Sequence, residues 1–217
     1  MRTRNAALLL SPTIVGVLVF TALYMTLGTW SAWASGNHEF QFYIVTMVLC
    51  ILGVVWVHRR VNLSPGVLWG LSLWGLMHLA GGMVTIPVTW PVEGTHVLYN
   101  WWLVERVLKF DQVVHAYGFG MTTWTCWQGL RWGIAHRLNV APASVRPSAG
   151  LLVMCAAAGV GFGALNEVVE FIVTQVVQET NVGGYSNTGW DLVSNLVGAV
   201  VTVLVIALAG RKAPARS

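Results

Sequence analysis

Residues 149–173 read AGLLVMCAAAGVGFGALNEVVEFIV, a long apolar stretch with two glutamates near its end. About 20 helical residues cross the hydrocarbon core of a bilayer, so this stretch predicts a transmembrane helix. Its small residues, with Gly159 and Gly163 four positions apart, allow another helix to approach closely. We therefore expect this span at the centre of a helical bundle, with Glu167 and Glu170 facing the interior.

The rest of the chain has the same character. Of its 217 residues, 56% are hydrophobic and only 9% are charged, which excludes an ordinary soluble domain. The expected fold class is all-α: a polytopic membrane protein whose residues 1–217 form a single transmembrane domain of six helices. The predicted spans lie near residues 7–29, 40–57, 67–85, 111–130, 149–173 and 190–209.

The charged residues predict how the bundle is oriented. With both termini in the cytoplasm, Arg106 and Lys109 are the only two of the 12 Lys and Arg residues that fall outside. An excess of basic residues in cytoplasmic segments is the usual topology signal. The high sequence pI of about 9.3 is then explained by topology, so we expect membrane lipids and not nucleic acid as partners. The pattern specifies no oligomeric state.

The longest outer connection ends in VLYNWWLVERVLKF at residues 97–110. Glu105 and Lys109 are spaced i,i+4, which favours a helix. Together with the aromatic residues, this pattern predicts an amphipathic helix lying at the membrane interface. Arg106 and Lys109 are candidate ligands for an anionic lipid headgroup.

Three polar pairs occur where apolar helices approach the outer surface. They are Asp111 with His115, Glu167 with Glu170, and Asp191 with Asn195. Spacings of i,i+3 and i,i+4 place each pair on one helix face. A rise of about 1.5 Å per residue brings all three pairs to the same outer layer.

This layer has the composition of a divalent-metal site. Carboxylates suit Mg, Mn or Ca, and an added imidazole extends the range to Zn or Fe. The candidate metal ligands are Asp111, His115, Glu167, Glu170 and Asp191. Candidates for a supporting role are Asn166, Asn195 and His78, and candidates for a catalytic role are Glu167, Glu170 and His115.

Structural roles compete with this interpretation. Asp111 and Asp191 lie near helix N-termini, where a carboxylate can cap free N–H groups. His115 could be a hydrogen-bonded packing residue, and Asn195 could join two helices. The glutamate pair fits a structural role least well, because two ionised acids within one turn repel unless a proton or a cation intervenes.

The same residues carry a resemblance to a known family. Asp111-x-x-x-His115 followed by Ala-Tyr-Gly-Phe-Gly, then Glu167-Val-Val-Glu170-Phe, then Gly-Trp-Asp191-Leu-x-x-Asn195, resembles the YjdF family of bacterial inner-membrane proteins. The pattern is more distantly similar to VanZ-like proteins. The resemblance covers about the last half of the chain and implies a multi-pass protein of the bacterial cytoplasmic membrane.

Three classes of function remain open. The first is a metal-dependent membrane hydrolase or transferase acting on a lipid or lipid-linked substrate. The second is a non-enzymatic protein that binds or transports a cation or a lipid. In the third, the polar network only fixes the helix register. The chain lacks the HExxH and GxSxG motifs, so no standard hydrolase signature decides among them.

Overall fold

A computed structural model describes residues 11–212, which contain six long helices and, between the third and fourth, a long connection with a small hairpin. The helices are α1 (Pro12–Ala34), α2 (His38–Val61), α3 (Pro65–Met83), α4 (Phe110–Leu138), α5 (Ala149–Val176) and α6 (Tyr185–Lys212). The predicted start of the first span at residue 7, and the basic residues Arg2, Arg4 and Arg216, lie outside the described residues.

Short polar side chains set where the helices begin and end. The side chains of Ser11, Asn37 and Ser148 cap α1, α2 and α5 by accepting a backbone N–H three residues further on. Asn62 and Asn139 end α2 and α4 in the left-handed conformation, with φ of 56° and 53°. Asparagine adopts this conformation more readily than most residues, which explains why the helices end there.

Four of the helices are long and apolar enough to cross a membrane: α1, α2, α5 and α6. The helical fold class is thus confirmed, together with four candidate spans. The third and fourth predicted spans are also single helices, α3 and α4, but neither is among the four candidates. Six spans and cytoplasmic termini stay predictions.

The helices pack as two groups of three, α1 to α3 and α4 to α6, joined mainly through α3 and α4. The expectation that the fifth span occupies the centre is wrong, because α4 contacts α2, α3, α5 and α6. Small residues nevertheless lie where two helices approach each other closely. A Cβ at Gly198 would collide with the backbone of Ala116, and a Cβ at Gly163 would collide with the side chain of Asn195.

The predicted interfacial helix at residues 97–110 is wrong. This segment forms a 3-10 turn, Leu98–Asn100, and an antiparallel hairpin of β1 (Trp102–Val104) and β2 (Leu108–Lys109). Its aromatic and β-branched residues favour strand, and Arg106 turns the chain with a φ of 57°. Between residues 11 and 212, paired strands are thus confined to this small hairpin at one end of the bundle.

Candidate metal centre

His115 lies between carboxylates contributed by two helices. Its Nε2 is 3.6 Å from Asp111 Oδ1, one turn earlier on α4, and 3.8 Å from Glu170 Oε1 on α5. Its Nδ1 is 3.6 Å from Glu167 Oε1. The predicted pairs on α4 and α5 therefore meet around one imidazole ring.

Two asparagines hold these groups in position. His115 Nδ1 lies 3.1 Å from the side-chain oxygen of Asn195, which can only accept a hydrogen bond. Nδ1 therefore donates, and Nε2 is left with a lone pair facing Asp111 and Glu170. Asn166 donates to Glu170 Oε1 at 2.7 Å. Both asparagines predicted to support the site contact its residues.

Asp191 joins the cluster from α6. Its carboxylate is fully buried, and Asn187 donates to Asp191 Oδ2 at 2.6 Å and to Asp111 Oδ2 at 3.3 Å. The alternative that Asp191 serves as a helix cap is wrong, because α6 begins at Tyr185 and Asp191 lies in its second turn. The carboxylate therefore faces the cluster for a reason other than capping.

Several polar atoms of the cluster lack a hydrogen-bond partner among residues 11–212. They are both carboxylate oxygens of Glu167, Oδ1 of Asp191 and Nδ2 of Asn195. Glu167 is only 8% exposed and Asp191 is 0% exposed. Burying such oxygens without a partner is unfavourable unless a proton, a water molecule or a cation satisfies them.

The distances between the ligand atoms of these side chains suit a bound cation. The ligand atoms of Asp111, His115 and Asp191 lie within 4.8 Å of one another, and so do those of His115, Glu167 and Glu170. Two ligands that each lie about 2.0–2.5 Å from an ion are roughly 3–4 Å apart. The distances from His115 Nε2 to Asp111 and Glu170 fall in this range, so these side chains could hold a divalent ion.

The remaining predicted residues lie around the cluster. Arg106 is exposed on the hairpin turn, with its Nε 4.0 Å from Glu105. Lys109 is only 7% exposed: its ammonium donates to Asn187, lies 3.5 Å from Glu93 and sits over the ring of Trp102. A lipid headgroup can thus reach Arg106 directly, whereas Lys109 helps to orient Asn187.

His78 lies on the far side of a small polar cavity of about 30 Å³, which Asp111 and Glu170 also line. The phenol of Tyr99, in the outer connection, lies 2.5 Å from His78 Nδ1 and 2.8 Å from its carbonyl oxygen. Burial, with nearby acids such as Asp111, raises the pKa of Tyr99 well above its usual value, so the phenol stays protonated. His78 therefore faces the cavity with a neutral partner.

Glu39 is a buried residue of this region that the sequence pattern did not identify. It is only 4% exposed and lines the same polar cavity. The backbone N–H of Asn181 donates to Glu39 Oε2 at 2.9 Å, and the Asn181 side chain donates at 3.1 Å. Glu39 lies in the first turn of α2, and no charged or amide residue follows it three or four positions later. The sequence pattern therefore gives no sign that its side chain is buried.

Asn181→Ala is expected to loosen the connection between α5 and α6. The change removes one hydrogen bond to Glu39 and a 2.6 Å bond from the hydroxyl of Thr95. Bonds to charged groups contribute about 1.5–3 kcal/mol, so hydrogen exchange should accelerate locally in residues 177–184. Gln178→Ala, an exposed change in the same connection, is the control. Equal exchange in the two variants would contradict this role for Asn181.

The apolar helices and the buried polar cluster together define a multi-pass membrane protein with a carboxylate/histidine site at one end of its bundle. Residues 16–212 match the family described as "Predicted membrane protein (DUF2238)", and the chain belongs to this family. No curated protein and no solved structure matches the chain. The family description agrees with the fold and the membrane location.

Proposed function

We propose that this protein binds one divalent cation between α4, α5 and α6 and uses it as a metal-dependent membrane hydrolase or transferase. The observation that carries this proposal is that two sets of carboxylate and imidazole ligand atoms, each within 4.8 Å of one another, meet at His115, while Asp191 Oδ1 and both Glu167 oxygens lack a hydrogen-bond partner. The ion's ligands are His115 Nε2, Asp111, Glu170 and Asp191. A protein that needed only a structural network would satisfy these oxygens with the amides beside them.

Glu167 has a separate role in this proposal. It faces His115 Nδ1, on the opposite side of the ring from the atom that binds the ion. Its two oxygens have no hydrogen-bond partner within the described chain, so they are available to accept a proton. One Glu167 oxygen also lies within 4.8 Å of a Glu170 oxygen. Glu167 would therefore act as the general base toward a water molecule on the Glu170 side of the ion, and the ion would lower the pKa of that water.

The substrate is a lipid or a lipid-linked molecule. The site lies at the outer end of apolar helices, beside a hairpin whose exposed Val104 and Val107 suit a membrane interface. A substrate that stays in the bilayer would reach this depth without crossing water. The protein would have six spans, from its apolar stretches, and cytoplasmic termini, from its basic residues. The YjdF-like and VanZ-like motif patterns imply a bacterial cytoplasmic membrane.

A non-enzymatic role in binding or transporting a cation is the second candidate. The buried acids favour it as much as they favour catalysis, because intramembrane carboxylates commonly bind ions. Transport would require polar groups along the inner half of the bundle. Among the buried polar residues toward that half, Ser72 bonds to Thr21, and Thr123 donates to a backbone carbonyl of its own helix. Cation binding without transport is thus the stronger form of this candidate.

Metal removal tests the proposal. Protein purified in detergent should retain about one divalent ion per chain, and a chelator should lower its melting temperature. Occupancy at about 100 times the dissociation constant stabilises a protein by about 2.7 kcal/mol. Elemental analysis and thermal unfolding after adding back Mg, Mn, Ca or Zn measure both effects. Protein without metal, whose melting temperature responds to none of the four ions, would overturn the proposal.

A further inference from the structure

Helices α1, α2 and α3, with Asn166 and Val169 of α5, line a second, larger cavity, which we call the apolar slot. It has a volume of about 440 Å³ and its walls are mainly aliphatic. Along α2 the lining extends from Tyr43 to Arg59, which corresponds to roughly 24 Å at 1.5 Å per residue. The hydrocarbon core of a bilayer is about 30 Å thick, so the slot runs through most of that depth.

The middle of the slot offers a ligand little to hydrogen-bond. The hydroxyls of Thr21 and Ser72 lie 2.6 Å apart and bond to each other. The neighbouring wall consists of apolar groups such as Leu71 and Val54. A cavity of this size and lining is suited to a hydrocarbon chain and unsuited to an ion or a sugar.

The outer end of the slot adjoins the candidate metal centre. Tyr43 and His78 line both the slot and the small polar cavity that contains Asp111 and Glu170. Asn166, which donates to Glu170, also lines the slot. One molecule with an apolar tail and a polar head could therefore occupy both spaces.

We propose that the apolar slot holds the hydrocarbon tail of a single-chain amphiphile, whose polar head passes Tyr43 and His78 to the candidate metal centre. The tail then points along α2 toward His58. This proposal rests on the proposed function only for the role of the head. It narrows the substrate class to a lipid with one chain, because a volume of about 440 Å³ spread over roughly 24 Å suits one extended hydrocarbon chain.

Photolabelling tests both the position and the direction of the tail. Two long-chain alkyl phosphates are incorporated into nanodiscs with the full chain, one carrying a diazirine beside the head and the other at the tail end. The head-side probe should label residues near Tyr43, and the tail-end probe should label residues near Val54. Excess unlabelled alkyl phosphate should suppress both signals.

Two variants that fill the slot provide the specificity control. Leu71→Trp and Thr46→Phe each add volume to the lining, from α3 and from α2, and should lower labelling by about tenfold. Leu52→Trp is the matched control, since Leu52 is 59% exposed on α2 and does not line the slot. It should label like the unchanged chain.

The outcomes separate this proposal from the proposed function. Tail-end labelling should persist in Glu170→Gln, because Glu170 does not line the slot and the tail end lies near Val54 on α2. Labelling of the slot by a protein that binds no metal would overturn the metal proposal alone. Three results would overturn the tail proposal even if the metal site is real. The labels could spread over lipid-facing residues, the two probes could label α2 in the reversed order, or labelling could stay unchanged in both filling variants.

Discussion

Glu170→Gln should weaken divalent-cation binding by at least about 100-fold. Losing even a group that only supports a metal ligand lowers affinity about 10–100-fold, and Glu170 is assigned as a ligand itself. The amide keeps the shape of the side chain and can still bond to Asn166, so the fold should persist. The charge that holds the cation is lost.

The measurement is the rise in melting temperature as Mg, Mn, Ca or Zn is added to protein in detergent. The unchanged chain should be stabilised, and Glu170→Gln should show almost no response at the same concentrations. Glu179→Gln, an exposed glutamate beyond the end of α5, is the matched control and should respond normally. Equal stabilisation of the two variants would show that Glu170 does not bind the ion.

Gly198→Ala is expected to have the largest effect on stability. The new Cβ would collide with the carbonyl group of Ala116, which belongs to the backbone of α4 and cannot rotate away. Overpacking of this kind costs about 1–3 kcal/mol, and here it separates α4 from α6. Because these helices carry His115 and Asn195, the variant should also bind the cation more weakly.

Gly161→Ala is the matched control for this variant. Gly161 lies on α5, and a Cβ there would meet nothing within 4 Å. The control should be neutral or slightly stabilising, since alanine favours helix over glycine. Chemical unfolding in mixed micelles compares the two changes. A Gly198→Ala protein as stable as Gly161→Ala would contradict the close contact between α4 and α6.

Sequence patterns predicted the parts of the site that lie one turn apart on a helix. Asp111 with His115 and Glu167 with Glu170 are such pairs, and an apolar background makes them stand out. Asn195 could also be assigned from its spacing to Asp191. What brings the pairs together is the packing of α4 against α5 and α6, which no local pattern encodes.

The residues that sequence reasoning missed depend on contacts across long separations. Glu39 is buried because Asn181, far along the chain, covers it. Asn187 was overlooked because α6 begins earlier than its hydrophobicity suggests, in a stretch of glycine and polar residues. The i,i+4 charge pair beside Arg106 favours a helix, but the aromatic and β-branched residues around it outweigh this signal, and the segment forms a hairpin.

The two groups of helices have different roles in these proposals. Helices α4 to α6 contribute the ion's ligands, and α1 to α3 provide the apolar slot. Tyr43 and His78 connect the two spaces. This arrangement would present the polar end of a membrane lipid to an ion that is itself shielded from bulk water, where its electrostatic effect on the reacting group is stronger.

Electron spin echo spectroscopy of the Mn-loaded protein tests the central claim most directly, because it detects nitrogen bound to the ion. The unchanged chain should show modulation from one imidazole nitrogen, and the modulation should disappear in His115→Gln while persisting in His136→Gln, a histidine at the opposite end of α4. Modulation that survives in His115→Gln, or an ion coordinated by water and oxygen alone, would contradict the assignment of the metal centre to His115.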